Sequence, residues 1–276
     1  MTVKTKVIFI AALLVLLGCA TNPFTGKKTM AFVSNDDIFP SSFAQYNQVL
    51  AESKVITGTK DAEMIKRVGE RIANAAERWL NANGYQGYLD QYKWQYSLID
   101  SEQVNAWCLP GGKIAFYTGI LPIAQNETGV AIIMGHEVAH ALANHGQQRM
   151  SSGMLQQLGA GAVAVASSSE TVEDQQLYMA AYGLASTYGG TLPFSRKHEN
   201  EADKIGLILS AIAGYNPDEG ARLWERMKAK SGGEAPPEFM STHPSNDNRI
   251  QALKELSPQA KQEAAKFGVT SFRPLN

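Results

Sequence analysis

Apolar residues recur along the 276-residue chain at spacings that change character several times. Behind Lys4 and Lys6, Val7 to Leu17 is an almost unbroken apolar run. It is too short to span a bilayer comfortably and reads as a secretory signal over residues 1–18. Residues 19–45, with "TNPFTGKKTMAFVSNDDIFPSS", carry Asn, Pro, Gly and Ser without a period and are expected to form a tether. A short helix is expected from Ala44 to Ala51. In "DAEMIKRVGERIANAAERWL" (61–80), Ile65, Val68, Ile72, Ala75 and Trp79 return every three or four residues, which predicts a helix with one buried stripe. "YKWQYSLID" (92–100) alternates instead, with Trp94, Tyr96 and Leu98 on one face of a strand. "NAWCLPGGKIAFYTGIL" (105–121) predicts a hairpin turning at Pro110-Gly111-Gly112, with Pro110 in the turn or on an edge.

Residues 126–145 are predicted to be helical. Val130, Ile132, Ile133, Met134, Val138, Ala139, Ala141 and Leu142 make this helix apolar nearly all round, so it should be buried. Residues 153–166 are rich in Gly and Ala and almost free of charge, "SSSETVEDQQ" breaks the pattern, and "LYMAAYGLASTYGG" resumes it. Residues 151–190 read as a helical hairpin ending at Gly189-Gly190, which suits plain packing, a hinged cover or a membrane contact. A helix over 199–214 is stopped by Gly214 and Pro217, and the next begins with Asn216 as cap and Pro217 in its first turn. Residues 231–245 read as a loop before closing helical segments. The expected fold is α+β, predominantly α-helical, with a small antiparallel sheet bordering the cleft and a single domain over 46–276.

Composition narrows the setting. The chain has 25 basic and 26 acidic residues; without Lys4 and Lys6 the balance is 23 to 26, a net charge of −3. No basic excess points to nucleic acid. The two cysteines, Cys19 and Cys108, have different surroundings. "LLGC" (Leu16 to Cys19) resembles a bacterial lipobox, which implies lipidation of Cys19, a membrane-anchored protein, and, with Ala20 following, sorting to the periplasmic face of the outer membrane. Cys108 is then left without a disulfide partner.

The chemistry concentrates in "MGHEVAHALANH" (134–145). Residues four apart share a helix face, so His136 and His140 can grip one ion, with Glu137 angled toward a bound water. A hydrolytic zinc (Zn2+) site needs three protein ligands and an open position. The metal acidifies its water and a carboxylate takes the proton, which makes Glu137 the general base. A solvated helix face is the rival reading, but burying two His and a Glu without partners is costly on so apolar a helix. A third His six residues after His140 is excluded, because Gly146 stands there. His145 reads as a last-turn residue facing the helix dipole. The remaining source is a carboxylate in "HENEAD". Glu199 and Glu201 both flank the apolar stripe; Asp203, one turn beyond Glu199 and placed to orient a ligand His, favours Glu199.

"HEVAH", followed about sixty residues later by "FSRKHENEAD", resembles the HtpX-like and CAAX-prenyl-protease-like family of zinc metallopeptidases, gluzincins. The likeness is nearest to the periplasmic lipoprotein branch with its BepA-like and LoiP-like members, and "TNPFTGKKTMAFVS", "NAWCLPGGKIAFYTGIL" and "STHPSNDNRIQAL" extend it over most of the chain. The resemblance implies a zincin-type domain, one zinc, Glu199 as third ligand, and protein or peptide substrates laid against the strand that begins at Asn105 and Ala106. His243 in "STHP" is either a plain loop residue or an imidazole that steadies an oxyanion or fills zinc's fourth site at rest. Arg249 either pins that loop or binds substrate. The implied function is cleavage of misfolded or stalled envelope proteins. The alternative is an outer-membrane assembly factor or chaperone with little proteolysis.

Overall fold

A computed structural model of the chain describes residues 19–30, 32–230, 238–243 and 247–275. In chain order the elements are β1 (Cys19–Thr21), β2 (Lys28–Met30), α1 (Asn35–Glu52), β3 (Val55–Ile56), α2 (Lys60–Ala82), β4 (Gln95–Ile99), β5 (Ala106–Leu109), β6 (Lys113–Tyr117), α3 (Leu121–Ala124), α4 (Glu127–Leu142), α5 (His145–Ala166), α6 (Val172–Ser186), a π-helical turn (Thr187–Thr191), α7 (Leu192–Ile212), α8 (Glu219–Lys230), α9 (Glu238–Thr242) and α10 (Asp247–Ala265). Two compact units divide them. One joins residues through Ile38 to Asn144–His198; the other holds Phe39–Ala143 and Glu199–Asn276. The helical hairpin expected at 151–190 therefore belongs with the N-terminal segment.

The larger unit is built on α2 and α4. Thr59 caps α2, its hydroxyl accepting from the Ala62 N–H at 3.2 Å. The stripe Ile65, Val68, Ile72, Ala75 and Trp79 is buried as its spacing predicts. Each of the larger side chains contributes about 1.5–3 kcal/mol by leaving water. α2 packs against α4 and β4. Gly69 allows the approach to β4, since a Cβ there would meet the Tyr96 ring at 2.2 Å. Asn126 caps α4 by accepting from the Gly129 N–H at 3.0 Å, and α4 is buried around its whole circumference.

The sheet corrects one expectation. Its order is β3-β4-β6-β5, and β4 runs parallel to β6, Gln95 beside Lys113 and Ile99 beside Tyr117. The sheet is mixed, not antiparallel. β5 and β6 do form the expected hairpin, Ala106 opposite Phe116. The chain leaves β4, crosses to lay β5 on the outside, and returns β6 between them, so β6 repeats the direction of β4. Gly111 and Gly112, at φ +83° and +86°, supply the turn. On the sheet, Tyr46 of α1 packs against Ile99 and Ala115, and its hydroxyl bonds Ser97 Oγ at 2.7 Å and the Ile114 carbonyl at 3.1 Å.

In the smaller unit the presumed tether is partly ordered. β1 pairs antiparallel with β2, Cys19 opposite Met30. Ser34 and Asp37 close a capping box, each side chain accepting the other's N–H at 3.2 Å. That starts α1 nine residues before Ala44. The Phe32 N–H donates to Ser151 Oγ at 3.1 Å, tying this segment to α5. α5 and α6 form the hairpin, joined by the Tyr182 hydroxyl donating to the Gln156 carbonyl at 2.9 Å. Gly189 and Gly190 fall in the π-helical turn that leads into α7.

Candidate active site

Four buried side chains of the larger unit converge: His136 and His140 from α4, Glu199 from α7, and His243 just after α9. One ligand atom from each lies within 4.8 Å of all the others. His136 Nε2 is 3.1 Å from His140 Nε2 and 3.0 Å from His243 Nδ1. Glu199 Oε2 is 2.8 Å from His243 Nδ1 and 3.4 Å from His136 Nε2; its Oε1 is 3.4 Å from His140 Nε2.

The donor set itself tests the metal. Three ring nitrogens and a carboxylate point at one spot. The single position on His136 Nε2 cannot serve both neighbouring imidazoles, and lone pairs facing each other in a buried site repel. A divalent cation at that spot resolves all of these contacts at once, and N₃O ligation suits zinc. The residues fit the metal.

The supports lie behind the donors. His136 Nδ1 is 2.9 Å from Asp203 Oδ1, which orients the ring and leaves Nε2 for the ion. Arg249 grips Asp203 in a fork, Nε to Oδ2 and Nη2 to Oδ1, both at 2.7 Å. Its guanidinium lies 3.7 Å from the centre of the Trp224 ring and 3.3 Å, through Nη1, from Glu199 Oε2. Burial alone would push the His136 imidazole down, yet Asp203 and Glu199 beside it raise it to about 9. Burial would likewise raise the two carboxyls. His136 and His243 beside Glu199, and Arg249 and His136 beside Asp203, hold both below the ordinary range instead.

Close helix packing brings the two halves together. A Cβ on Gly135 would meet Ser210 Oγ at 2.6 Å and the Gly206 carbonyl at 2.7 Å. The two backbones touch where α4 and α7 cross. Glu137 is buried beside the cluster, its Oε1 3.4 Å from His243 Nε2. α9 holds His243 in place: the His243 N–H donates to the Phe239 carbonyl at 2.9 Å, and the Phe239 N–H to the Val104 carbonyl at 3.1 Å, just before β5.

The other candidates fall as follows. Ala106 opens β5, the outer strand of the sheet, with Asn105 just before it, and Asn105 Oδ1 accepts from the Ala106 N–H at 2.9 Å. Arg249 is buried with its fork engaged by Asp203, which is the pinning alternative rather than a side chain turned to substrate. Glu201 is half-buried and outside the four-donor cluster. Cys108 lies in β5, where burial pushes its thiol well above the ordinary value, and it is no ligand. His145 is a correction: Ala143 closes α4, Asn144 turns at φ +56°, and His145 starts α5. There its ring stacks on His198 at 4.0 Å in the smaller unit. Trp224 escaped the sequence reading; its place under Arg249 depends on the approach of α8 to α10, which no local spacing encodes. Cys19 lies in β1.

A mostly helical domain with a small sheet and a buried two-His, one-Glu set beside a further buried glutamate is that of a zinc-dependent metallopeptidase. The comparisons agree. Residues 59–257 match the model of peptidase family M48, and the chain belongs to that family. It is 36% identical over 175 residues to the mitochondrial metalloendopeptidase OMA1 of Schizosaccharomyces pombe, covering 63% of this chain and 49% of that protein. The Arabidopsis thaliana protein of the same name is 36% identical over 208 residues, 73% of this chain and 41% of its own. The beta-barrel assembly-enhancing protease of Escherichia coli is 28% identical over 194 residues, 65% of this chain and 38% of its own. The chain thus spans about half the length, or less, of these relatives.

Proposed function

We propose that this chain is a zinc-dependent endopeptidase of the bacterial cell envelope, lipid-anchored through Cys19 at the periplasmic face of the outer membrane and acting on misfolded or stalled envelope proteins. The observation that carries the peptidase reading is the buried convergence of His136, His140 and Glu199 with Glu137 alongside. Zinc held there by His136, His140 and Glu199 would supply Lewis-acid polarisation of the scissile carbonyl and an acidified water. Glu137, buried beside these donors, is placed to accept a proton as general base and hand it to the leaving amine. His243, the fourth member of the cluster, either fills zinc's fourth position at rest or steadies the developing oxyanion. Asn105 and Ala106 receive the substrate backbone at the outer side of β5, where register turns the Ala106 backbone groups away from β6.

The envelope setting is supported by "LLGC", by Ala20, and by the likeness to the lipoprotein branch and to the Escherichia coli relative. The mitochondrial relatives support the peptidase class alone. The test is cleavage of casein by purified protein with and without a chelator, beside Glu137→Gln. Chelator-sensitive cleavage that Glu137→Gln abolishes is the expected result; cleavage that survives both refutes the zinc mechanism.

One observation favours a second reading, an assembly factor or chaperone that seldom cleaves: His243 fills the fourth position of the cluster and closes it. Full rescue of an envelope-stress phenotype by Glu137→Gln would select that reading.

A further inference from the structure

Among the described residues, every large apolar side chain that stands exposed lies between Met150 and Leu192. On α5, Met150, Met154, Leu158 and Val165 fall within one stripe of the helix. On α6 and beyond, Val172, Leu177, Tyr178, Met179, Leu184, Tyr188 and Leu192 point round most of the circumference, and no residue of α6 is buried. Leu158 and Val165 are 70% and 76% exposed, Leu177 and Leu184 64% and 61%. No charged residue occurs from Met150 to Ser169 or from Gln175 to Ser195. Beyond its polar first turn (Glu173, Asp174, Gln175, Gln176), α6 exposes apolar side chains on the faces that α5 does not cover, and a contiguous apolar surface of this kind marks an interaction site.

We infer that the α5–α6 hairpin is a membrane-contacting element that lies in the interfacial layer of a lipid bilayer. One placement selects lipid over a second copy of the chain. The hairpin shares its compact unit with the segment that opens at Cys19, the proposed point of lipid attachment. β1 begins at Cys19, β2 contacts α5, and the Phe32 N–H donates to Ser151 Oγ. The attachment point and the exposed hairpin thus belong to the same unit. No described helix is long and apolar enough to cross a membrane, so the hairpin lies along the surface with Tyr178 and Tyr188 at headgroup depth. Arg149 in the first turns of α5 is the hairpin's single Lys or Arg, and Glu170, Glu173 and Asp174 stand at its tip, so the contact does not draw on anionic lipid. The inference rests on the membrane attachment proposed above.

The test reads depth residue by residue. The full chain, with Cys108→Ser, is purified from membranes and reconstituted into phosphatidylcholine vesicles. Single cysteines at Leu158, Val165, Leu177 or Leu184 carry bimane, and Lys60→Cys in the larger unit is the control. The parent without an added cysteine reports whether Cys19 is blocked by lipid. Severalfold stronger quenching by doxyl-labelled lipid at the four hairpin positions than at residue 60, with little quenching by iodide, is expected. Chains that float with the vesicles while the hairpin probes answer only to iodide overturn the inference and leave attachment standing. Probes shielded from both quenchers, with cross-links between copies, overturn it in favour of self-association. A chain that does not float at all overturns both readings.

Discussion

Gly206 of α7 lies against the backbone of His136 so closely that a Cβ on it would meet the His136 nitrogen at 2.7 Å and its Cα at 2.9 Å. Asp203 and Glu199 sit on the same helix, one turn and two turns earlier. The spacing between metal-binding helices is therefore set by two glycines rather than by the donors. Gly206→Ala must push α7 away from α4, because the clash is with backbone that cannot swing aside. Overpacking of this kind costs about 1–3 kcal/mol. Both a lower Tm and weaker zinc binding are expected. Gly161→Ala is the control: it has nothing within 4 Å of the added Cβ, so it should hold or raise Tm. A Gly206→Ala protein with unchanged zinc affinity would show that the crossing does not govern the site.

Arg249 and Asp203 form the layer beneath His136. Removing the fork leaves Asp203 buried with a charge no longer neutralised by its strongest partner, and the His136 ring less firmly aimed. Second-layer losses at zinc sites cost about 10–100-fold in affinity. Arg249→Ala and Asp203→Asn should both fall in this range by chelator competition. Arg249→Lys should recover only part, because an ammonium cannot span both carboxylate oxygens or stack on Trp224 in the same way. If Arg249→Lys binds zinc as tightly as the parent, charge alone suffices and the fork is incidental.

Much of this site was legible beforehand because helix periodicity is local. The i, i+4 spacing of His136 and His140 and the i, i+4 spacing of Glu199 and Asp203 survive whatever packs around them. What decided between Glu199 and Glu201 was Asp203, a residue that matters only through its hydrogen bond. The parts that were not legible are the non-local ones. Nothing in "YKWQYSLID" says that β6 rather than β5 will lie beside it, since alternation is the same for parallel and antiparallel neighbours. Asn144 breaks what reads as one helix through His145, because a single left-handed residue leaves the apolar pattern almost unchanged. Gly135 and Gly206 look like two ordinary glycines until their helices cross. Ser34 and Asp37 were a readable signal, a Ser three residues before an Asp ahead of Ile38 and Phe39, passed over amid the Asn and Pro around them.

Glu127 opens α4 and is held by three groups from distant parts of the chain. Arg67 reaches it at 2.8 Å, the Tyr215 hydroxyl at 2.8 Å and Arg273 at 2.9 Å. Burial favours the neutral acid, but these donors outweigh it and hold the carboxyl below its ordinary 4.5. Its folded pKa lies under the unfolded one, so its stabilisation is complete above that value and disappears as pH falls through the depressed range. Glu127→Gln should lower stability by about 1 kcal/mol at neutral pH, a modest figure because Arg67 is nearly half exposed. The same substitution should flatten the acid limb of the Tm-against-pH curve. An unchanged acid limb would mean that Glu127 is not one of the groups whose protonation unfolds the protein.

The response of the metal-free protein to alkali should run the opposite way from that of the zinc form. Without metal, His136 titrates at about 9, above its ordinary 6.5, because Asp203 and Glu199 favour the imidazolium more than burial opposes it. A raised folded pKa stabilises fully below the unfolded value and is lost as pH rises through the folded one, so the metal-free protein should lose Tm between about pH 6.5 and 9. Zinc needs the same ring deprotonated, and its uptake at neutral pH must release that proton. Apparent zinc affinity should therefore climb across this window, and calorimetry in buffers of different ionisation enthalpy should register proton release. The zinc-loaded protein should hold or gain Tm where the metal-free one loses it. A metal-free protein whose Tm rises from pH 6.5 to 9, with no proton released on zinc binding, would mean that the cluster holds His136 neutral and that the carboxylates beside it do not set its charge.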